Sequence, residues 1–182
     1  MTTQDNTKVI YSHDTLEFVT VSAEFCAFLE QSEGRDKREF VETMLKLLPL
    51  LYLKARLLPE VVSDEDFLPD AQVTEADYDY VRHLVYAVLG DDDTYEDLVY
   101  DNGIMSDELQ WRTVSENLAD MYQALRNFVS AYQQGIEACM NDSLWEVREE
   151  FDLTWGKCLV DSLRQLHLIH QKITHAIDED DF

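Results

Sequence analysis

Residues 114–135 read VSENLADMYQALRNFVSAYQQG, and this stretch decides the fold class. Its apolar side chains recur three and four positions apart, which is the spacing of one face of an α-helix. The face comprises Leu118, Met121, Tyr122, Leu125, Phe128, Val129 and Tyr132. The pattern predicts a long helix over residues 114–134 that ends at Gly135. Other helices must cover so long an apolar face, so the sequence predicts a helical bundle.

The sequence before this helix predicts three more, over residues 14–33, 36–58 and 74–90. Each carries apolar residues at helical spacing. Pro49 lies well inside the second helix, where its ring clashes with the carbonyl group four residues back, so we expect a kink there. Capping-box-like pairs begin the first and third helices: Asp14 with Glu17, and Thr74 with Asp77.

The sequence after residue 135 predicts a fifth helix, the longest, from Ser143 to Ile177. Ser143 and Glu146 form a capping box at its start. Gly156 lies inside it, where glycine costs about 1 kcal/mol relative to alanine. Such a glycine indicates either the close approach of another helix or a local break.

The remaining segments are predicted as connections and tails. Residues 59–73 form a loop between two prolines, and Asp93 caps a short helix around residues 94–101 that Asn102-Gly103 stops. Residues 1–12 and 178–182 are expected to fray. The prediction is therefore an all-α, single-domain helical bundle of about five main helices spanning residues 1–182.

The composition indicates the cellular compartment and disfavours some classes of binding partner. The 14 Lys and Arg residues face 38 Asp and Glu residues, which gives a formal net charge of −24. This charge repels nucleic-acid phosphates and anionic membranes, so we expect no direct binding to either. The N-terminal residues have no apolar signal segment, and Cys26, Cys139 and Cys158 form no Cys-x-x-Cys motif. A reducing cytoplasm fits these observations.

The acidic residues are concentrated in residues 57–111, where sixteen of them accompany one basic residue, Arg82. The loop 59–73 and the irregular stretch 91–110 flank one predicted helix, so we expect them to share one end of the bundle. There they would form an acidic surface for a protein partner that carries Lys and Arg. The candidate surface residues are Asp64, Glu65, Asp66, Asp91, Asp92, Asp93, Glu96 and Asp97.

Patterns for metal binding are incomplete. The triplet Asp91-Asp92-Asp93 fits no EF-hand register, because other residues fill the positions for the glycine and the bidentate glutamate. His167 and His170 are three residues apart on a helix, but apolar neighbours favour histidines that pack over ligands. We therefore expect no metal and no cofactor.

Carboxylate chemistry on helices is an open alternative. The stretch Glu116-Asn117-Leu118-Ala119-Asp120 looks like the second acidic motif of the all-α nucleotide pyrophosphohydrolases, with Asn117 in place of a glutamate. Glu146-x-x-Glu149 could mimic their first motif, but it follows the second, which reverses that family's order. Because of both departures, solvated or capping carboxylates are the favoured interpretation of these residues. No activated nucleophile or phosphate-binding loop is recognisable, so no catalytic residue is assigned.

Polar and aromatic side chains on the fourth and fifth helices form the best candidate for a ligand site. Core packing is the stronger interpretation of these aromatic residues, because they recur at helical spacing. If Asp120 and Asp152 are buried, each needs a partner, and His167 is one candidate. The candidate cluster is Asp120, Tyr122, Asp152, Trp155 and His167.

Several segments together resemble a bacterial family of uncharacterised proteins, the domain-of-unknown-function family 5063. They are Leu48-Pro49-Leu50-Leu51-Tyr52-Leu53-Lys54-Ala55, Leu118-Ala119-Asp120-Met121-Tyr122, Phe151-x-x-x-Trp155-Gly156 and His167. The resemblance runs from about residue 18 to 170. It implies a cytoplasmic bacterial helical protein, and it brings no catalytic residues with it.

The leading hypothesis is a non-enzymatic interaction or adaptor module whose acidic surface, within residues 57–111, meets a basic partner. The alternative is a small-molecule or metal-dependent site, such as a magnesium-dependent, hydrolase-like site, between the fourth and fifth helices. Convergence of Asp120, Asp152 and His167 in a concave pocket would favour the alternative.

Overall fold

Six helices of 14 to 25 residues and one β-hairpin make up the described part of the chain. The computed structural model describes residues 8–63, 71–101 and 104–180, with no side chains described at 99–108 and 177–180. The helices are α1 (His13–Glu30), α2 (Lys37–Arg56), α3 (Glu75–Leu89), α4 (Val114–Gln133), α5 (Glu137–Glu150) and α6 (Gly156–Asp180). The structure is therefore predominantly helical, as predicted.

The helix predicted from the opening stretch, α4, is the centre of the bundle. It packs against α1, α3, α5 and α6, and α2 packs against α1 and α6. All the predicted inward residues of α4 are buried except Tyr132, which is half-buried. The core around it includes Trp155, which is 1% exposed, and Phe18 of α1, whose ring centroid lies 5.3 Å from that of Phe128 on α4.

The starts of α1, α2 and α3 follow local chemistry, with one correction among them. The capping box of Thr74 and Asp77 begins α3, and Asp36 caps α2 by accepting a hydrogen bond from the Glu39 N–H group. The predicted cap of α1 is wrong, because Ser12, not Asp14, accepts the Thr15 N–H group. Serine at this position satisfies a helix N–H group that has no partner within the helix.

The helix α2 runs through Pro49 and continues to Arg56. The kink there stays a prediction. The sequence predicts that Phe40, Val41, Met44, Leu45, Leu48, Leu51 and Tyr52 face inward on this helix. All are buried except Leu45, which is half-buried, and Tyr52, which is 40% exposed and lies edge-on to the Phe151 ring with 5.3 Å between centroids.

The predicted fifth helix begins earlier and is interrupted. Ser143 lies inside α5, where its hydroxyl group donates to the Met140 carbonyl oxygen, so the predicted capping box there is wrong. A π-helical turn, Phe151–Trp155, separates α5 from α6. Gly156 ends this turn, and a Cβ atom there would clash with the Phe151 carbonyl oxygen. The local break indicated by this glycine is confirmed.

The short helix predicted around residues 94–101 is wrong. Residues Gly90–Asp93 form a 3₁₀ turn, and β1 (Thr94–Asp101) pairs antiparallel with β2 (Ile104–Thr113). Tyrosine, threonine, valine and isoleucine favour strands, and Asn-Gly between two such runs is a common hairpin connection. Asn102-Gly103, predicted to stop a helix, lies outside the described residues.

The N-terminal segment packs against the bundle. Residues 8–10 are helical, Ile10 is 1% exposed, and its carbonyl oxygen accepts a hydrogen bond of 2.6 Å from the Tyr132 hydroxyl group. At the other end, α6 is helical to Asp180, and the predicted fraying of residues 1–12 and 178–182 stays a prediction. None of the described helices is long and apolar enough to cross a membrane.

Candidate functional site

The β-hairpin has an inner face that meets the bundle and an outer face that meets solvent. Its register pairs Tyr95 with Arg112, Glu96 with Trp111, and Leu98 with Leu109. Paired residues in an antiparallel sheet point to the same side, and neighbours along a strand alternate. Tyr95 is 9% exposed, whereas Leu98, Leu109 and Trp111 are 38%, 59% and 69% exposed. The outer face is thus defined by Glu96, Leu98, Leu109 and Trp111.

Polar contacts attach the inner face to α4 and α6. The Asn117 side-chain amide donates a hydrogen bond of 2.7 Å to the Tyr95 hydroxyl oxygen. Asp97 lies 3.4 Å from Arg112 Nε and 3.4 Å from Lys157 Nζ. These contacts fix the hairpin on the bundle and leave the outer face uncovered by the described residues.

Asp93 is buried and belongs to the framework, so its prediction as a surface residue is wrong. It is 1% exposed, and its carboxylate accepts hydrogen bonds from the Ser115 N–H group at 2.7 Å and from the Ser115 hydroxyl group at 2.6 Å. Burial raises the pKa of Asp93, although the bonds from Ser115 oppose this shift. The residue therefore ties the 3₁₀ turn to the first turn of α4.

The other predicted acidic surface residues differ in their surroundings. Asp91 and Glu96 are exposed and have no ion pair among the described residues. Asp92 lies 3.0 Å from Lys37 Nζ and 3.2 Å from Lys172 Nζ, and the hydrogen bond from Lys37 is the main reason that its pKa is lowered. Asp97 also has basic partners. The remaining members, Asp64, Glu65 and Asp66, lie outside the described residues.

The five residues of the predicted ligand cluster have separate environments. Asp120 is exposed on α4 and accepts a hydrogen bond of 2.8 Å from the Tyr78 hydroxyl group. Asp152 is exposed in the π turn, 3.5 Å from Arg56 Nη1. Trp155 is buried, with its Nε1–H group donating to the Val147 carbonyl oxygen.

The last two members, Tyr122 and His167, are also apart from these contacts. Tyr122 donates a hydrogen bond of 2.9 Å to Glu30, and His167 is exposed on α6 beside Gln171. Among the described residues, no hydrogen bond or ion pair joins any two of the five.

Local contacts explain the residues that suggested catalysis or metal binding. Asn117, which replaces a glutamate in the magnesium-type motif, holds Tyr95 as described above. Burial, with the nearby charges of Asp120 and Asp161, raises the pKa of Cys158 to about 11, so this thiol stays protonated at neutral pH. His13, Asp14 and Glu17 place ligand atoms within 4.8 Å of one another, but Glu17 is already paired with Lys54.

A concave feature that was not predicted lies between the end of α1, the start of α3 and the middle of α4. It has a volume of about 530 Å³ and is lined by Glu30, Asp77, Tyr80, Tyr122, Arg126 and Ser130. Of these, the sequence prediction included only Tyr122. The other lining residues belong to no recognisable ligand-binding motif. They come from three helices, and local sequence patterns do not show how those helices pack together.

The hairpin does carry a signal that sequence reasoning missed. Leu109 and Trp111 are two residues apart, which is the spacing of one face of a strand. That spacing, together with Asn102-Gly103, favours a hairpin over a helix.

Comparison with known proteins finds one family model and a similar solved structure. The model of a domain of unknown function, DUF5063, matches residues 9–172. The crystal structure of protein BF1032 from Bacteroides fragilis, a structural-genomics target, is similar at 41% sequence identity and a TM-score of 0.78, covering 89% of this chain and 98% of that one. No curated protein matches the sequence. The family model spans far more than half of the chain, and the chain therefore belongs to the DUF5063 family of unknown function.

Proposed function

We propose that this protein is a non-enzymatic interaction module that binds a protein partner through the outer face of its β-hairpin. The observation that carries the proposal is Trp111, a large aromatic side chain that is 69% exposed. Tryptophan is enriched among the residues that dominate binding energy in protein interfaces. An indole group left in water by its own fold is available to a partner.

The neighbours of Trp111 make the outer face a continuous patch. Leu109 is two residues away on β2, and Leu98 lies directly opposite Leu109 on β1. Scattered exposed apolar side chains are ordinary, whereas adjacent ones are typical of binding surfaces. Covering this patch would remove three large apolar side chains from water, which favours association.

Charge indicates the chemistry of the partner. Glu96 lies directly opposite Trp111 in the register of the hairpin. No described basic residue forms an ion pair with Glu96. The surrounding segment, residues 57–111, has one basic residue for sixteen acidic ones. A partner that combines an apolar groove with Lys or Arg at its edge would complement this face and be attracted to it from a distance.

We also assign the protein to a reducing cytoplasm. All three cysteines are free thiols, and Cys26 is buried where its side chain serves as core. Free thiols of this kind are ordinary in a compartment that keeps cysteines reduced.

Substitution of the outer face tests the proposal. Leu109→Ser and Trp111→Ser should reduce partner capture from the native host at least about tenfold, a loss of about 1.4 kcal/mol each. Leu153→Ser is the matched control, because Leu153 is 78% exposed in the π turn, on another element. The proposal fails if both hairpin variants retain every partner that the wild type captures, or if the control loses the same partners.

A second pair of variants tests the charge. Glu96→Lys should weaken capture of the same partner, whereas Glu149→Lys, which reverses an exposed charge on α5, should leave it unchanged. Equal loss in both variants would indicate a general dependence on net charge and would contradict a specific acidic face.

A further inference from the structure

The cleft between α1, α3 and α4 holds Arg126, which forms an ion pair with Glu30 but donates no hydrogen bond to the described residues. Arg126 Nε lies 3.3 Å from Glu30 Oε1, but no N–H group of this guanidinium makes a hydrogen bond within the described part of the chain. A guanidinium offers five donors in a planar fork that fits a carboxylate in a two-point contact. The side chain of Arg126 is 38% exposed, so a ligand can reach it.

Glu30 is held in place from one side only. The Tyr122 hydroxyl group donates to the same oxygen, Oε1, that faces Arg126. The other oxygen, Oε2, accepts no hydrogen bond from the described residues. Tyr122 is 5% exposed and belongs to the hydrophobic core, so the hydroxyl group that bonds to Glu30 is carried by a packed ring.

The cleft therefore presents both signs of charge. Asp77 lines it on the α3 side, where one of its oxygens accepts from Thr74 in the capping box. The positive charge of Arg126 faces the negative charges of Glu30 and Asp77. A simple anion would meet two carboxylates, and a simple cation would meet a guanidinium. A small molecule with one charge of each sign can satisfy both.

We propose that this cleft binds a free α-amino acid as its zwitterion. The ligand carboxylate would receive two hydrogen bonds from the Arg126 fork, and the ligand ammonium group would donate to Glu30 Oε2 and Asp77. Tyr80, which is 51% exposed, and the apolar Val73 would border the ligand side chain. The volume of about 530 Å³ lies within the range of small-molecule sites.

This site is separate from the hairpin and does not depend on the proposed function. Its charged walls are partly exposed, so solvent weakens each contact and we expect a Kd on the order of 1 mM. An interaction of this strength suits a metabolite present at a comparable concentration.

Titration of the full-length protein with each of the standard amino acids, followed by NMR chemical shifts, tests the proposal. We expect saturable binding of at least one, with shifts at Tyr80 and Tyr122. The N-acetyl and the C-terminal amide derivatives of that amino acid should each bind at least about tenfold more weakly, because each removes one of the two charges. Absence of saturable binding by every amino acid, or equal binding of the derivatives, would overturn the proposal.

Variants of the arginine separate binding from folding. Arg126→Gln should abolish binding, and Arg126→Lys, which keeps the charge but loses the planar fork, should weaken it severalfold. Arg82→Gln is the matched control, because Arg82 pairs with Asp79 on α3 and does not line the cleft. Circular dichroism establishes that each variant is folded. A folded Arg126→Gln variant that binds like the wild type would also overturn the proposal.

Discussion

At the scale of single residues, Asp93 connects the 3₁₀ turn to the start of α4 through two hydrogen bonds from Ser115. We expect Asp93→Ala to lower the free energy of unfolding by about 1–3 kcal/mol, because it leaves a buried N–H group without a partner. Asp93→Asn keeps an oxygen acceptor and should cost less. Urea denaturation measures both, with Asp91→Ala as the exposed control expected within about 0.5 kcal/mol of wild type. Equal stability of Asp93→Ala and Asp91→Ala would contradict this role.

Glu146 and Glu150 lie one turn apart on α5 and line a cavity of about 170 Å³. Burial raises the pKa of both carboxyl groups, and the Glu146 charge adds to the shift at Glu150. The folded state therefore holds these protons more tightly than the unfolded state, so stability falls as pH rises from the ordinary value of 4.5 through the raised pKa values.

Substitution of Glu150 measures how much the ionisation of these two glutamates destabilises the fold. Glu150→Gln should increase the free energy of unfolding at pH 7 by at least a few tenths of a kcal/mol, because it removes a like-charge pair at i, i+4. It should also flatten the dependence of stability on pH above 4.5. Glu149→Gln, exposed on the same helix, serves as the control. Destabilisation of Glu150→Gln at pH 7 would show that its charge is compensated.

At the scale of elements, the π turn between α5 and α6 depends on Gly156. Alanine normally stabilises a helix interior relative to glycine by about 1 kcal/mol. We expect the opposite sign here, with Gly156→Ala lowering the free energy of unfolding by about 1–3 kcal/mol, because its Cβ atom would clash with the Phe151 carbonyl oxygen. Thermal and urea unfolding give the sign directly. A stabilised Gly156→Ala variant would mean that the turn relaxes without cost.

The elements also show where sequence reasoning succeeds. The bounds of α3 and α4 are close to those predicted, because Thr74, Asp77 and Gly135 act within one or two turns of their own positions. Ser143 and Glu146 have the same local pattern as Thr74 and Asp77, yet they lie inside α5. Residues that could cap a helix do not mark its start when tertiary packing extends the helix to residues before them.

The β-hairpin is an element that sequence reasoning predicted wrongly. The acidic residues of 94–101 disfavour a strand individually, and a cap at Asp93 followed by a helix is locally reasonable. A strand forms instead, because in a strand Tyr95 can bury its ring on the inner face of the hairpin and accept a hydrogen bond from Asn117, twenty-two residues along the chain. The local signals for a hairpin, Asn102-Gly103 and the spacing of Leu109 and Trp111, compete with those for a helix, and a local pattern does not include the contact that adds to them.

At the scale of the whole molecule, the net charge of −24 opposes folding through self-repulsion. Most described basic side chains already lie near carboxylates, and such exposed ion pairs contribute about 0–1 kcal/mol each. We therefore expect added sodium chloride to raise the melting temperature, since it screens the repulsion more than it weakens these pairs. Thermal unfolding at low and high salt tests this, and a melting temperature that falls with salt would contradict it.

The sequence by itself determined the helical architecture and the family, because helical spacing and end signals are local and repeat along most of the chain. Only the tertiary structure decided the functional surfaces. It buried Asp93, gave basic partners to Asp92 and Asp97, and left Trp111 in water. It also gave Asp120, Asp152 and His167 different partners, and it brought Glu30, Asp77 and Arg126 to one cleft. The physical reason is that burial and charge pairing depend on which elements pack against one another. That packing is determined jointly by residues far apart in the chain.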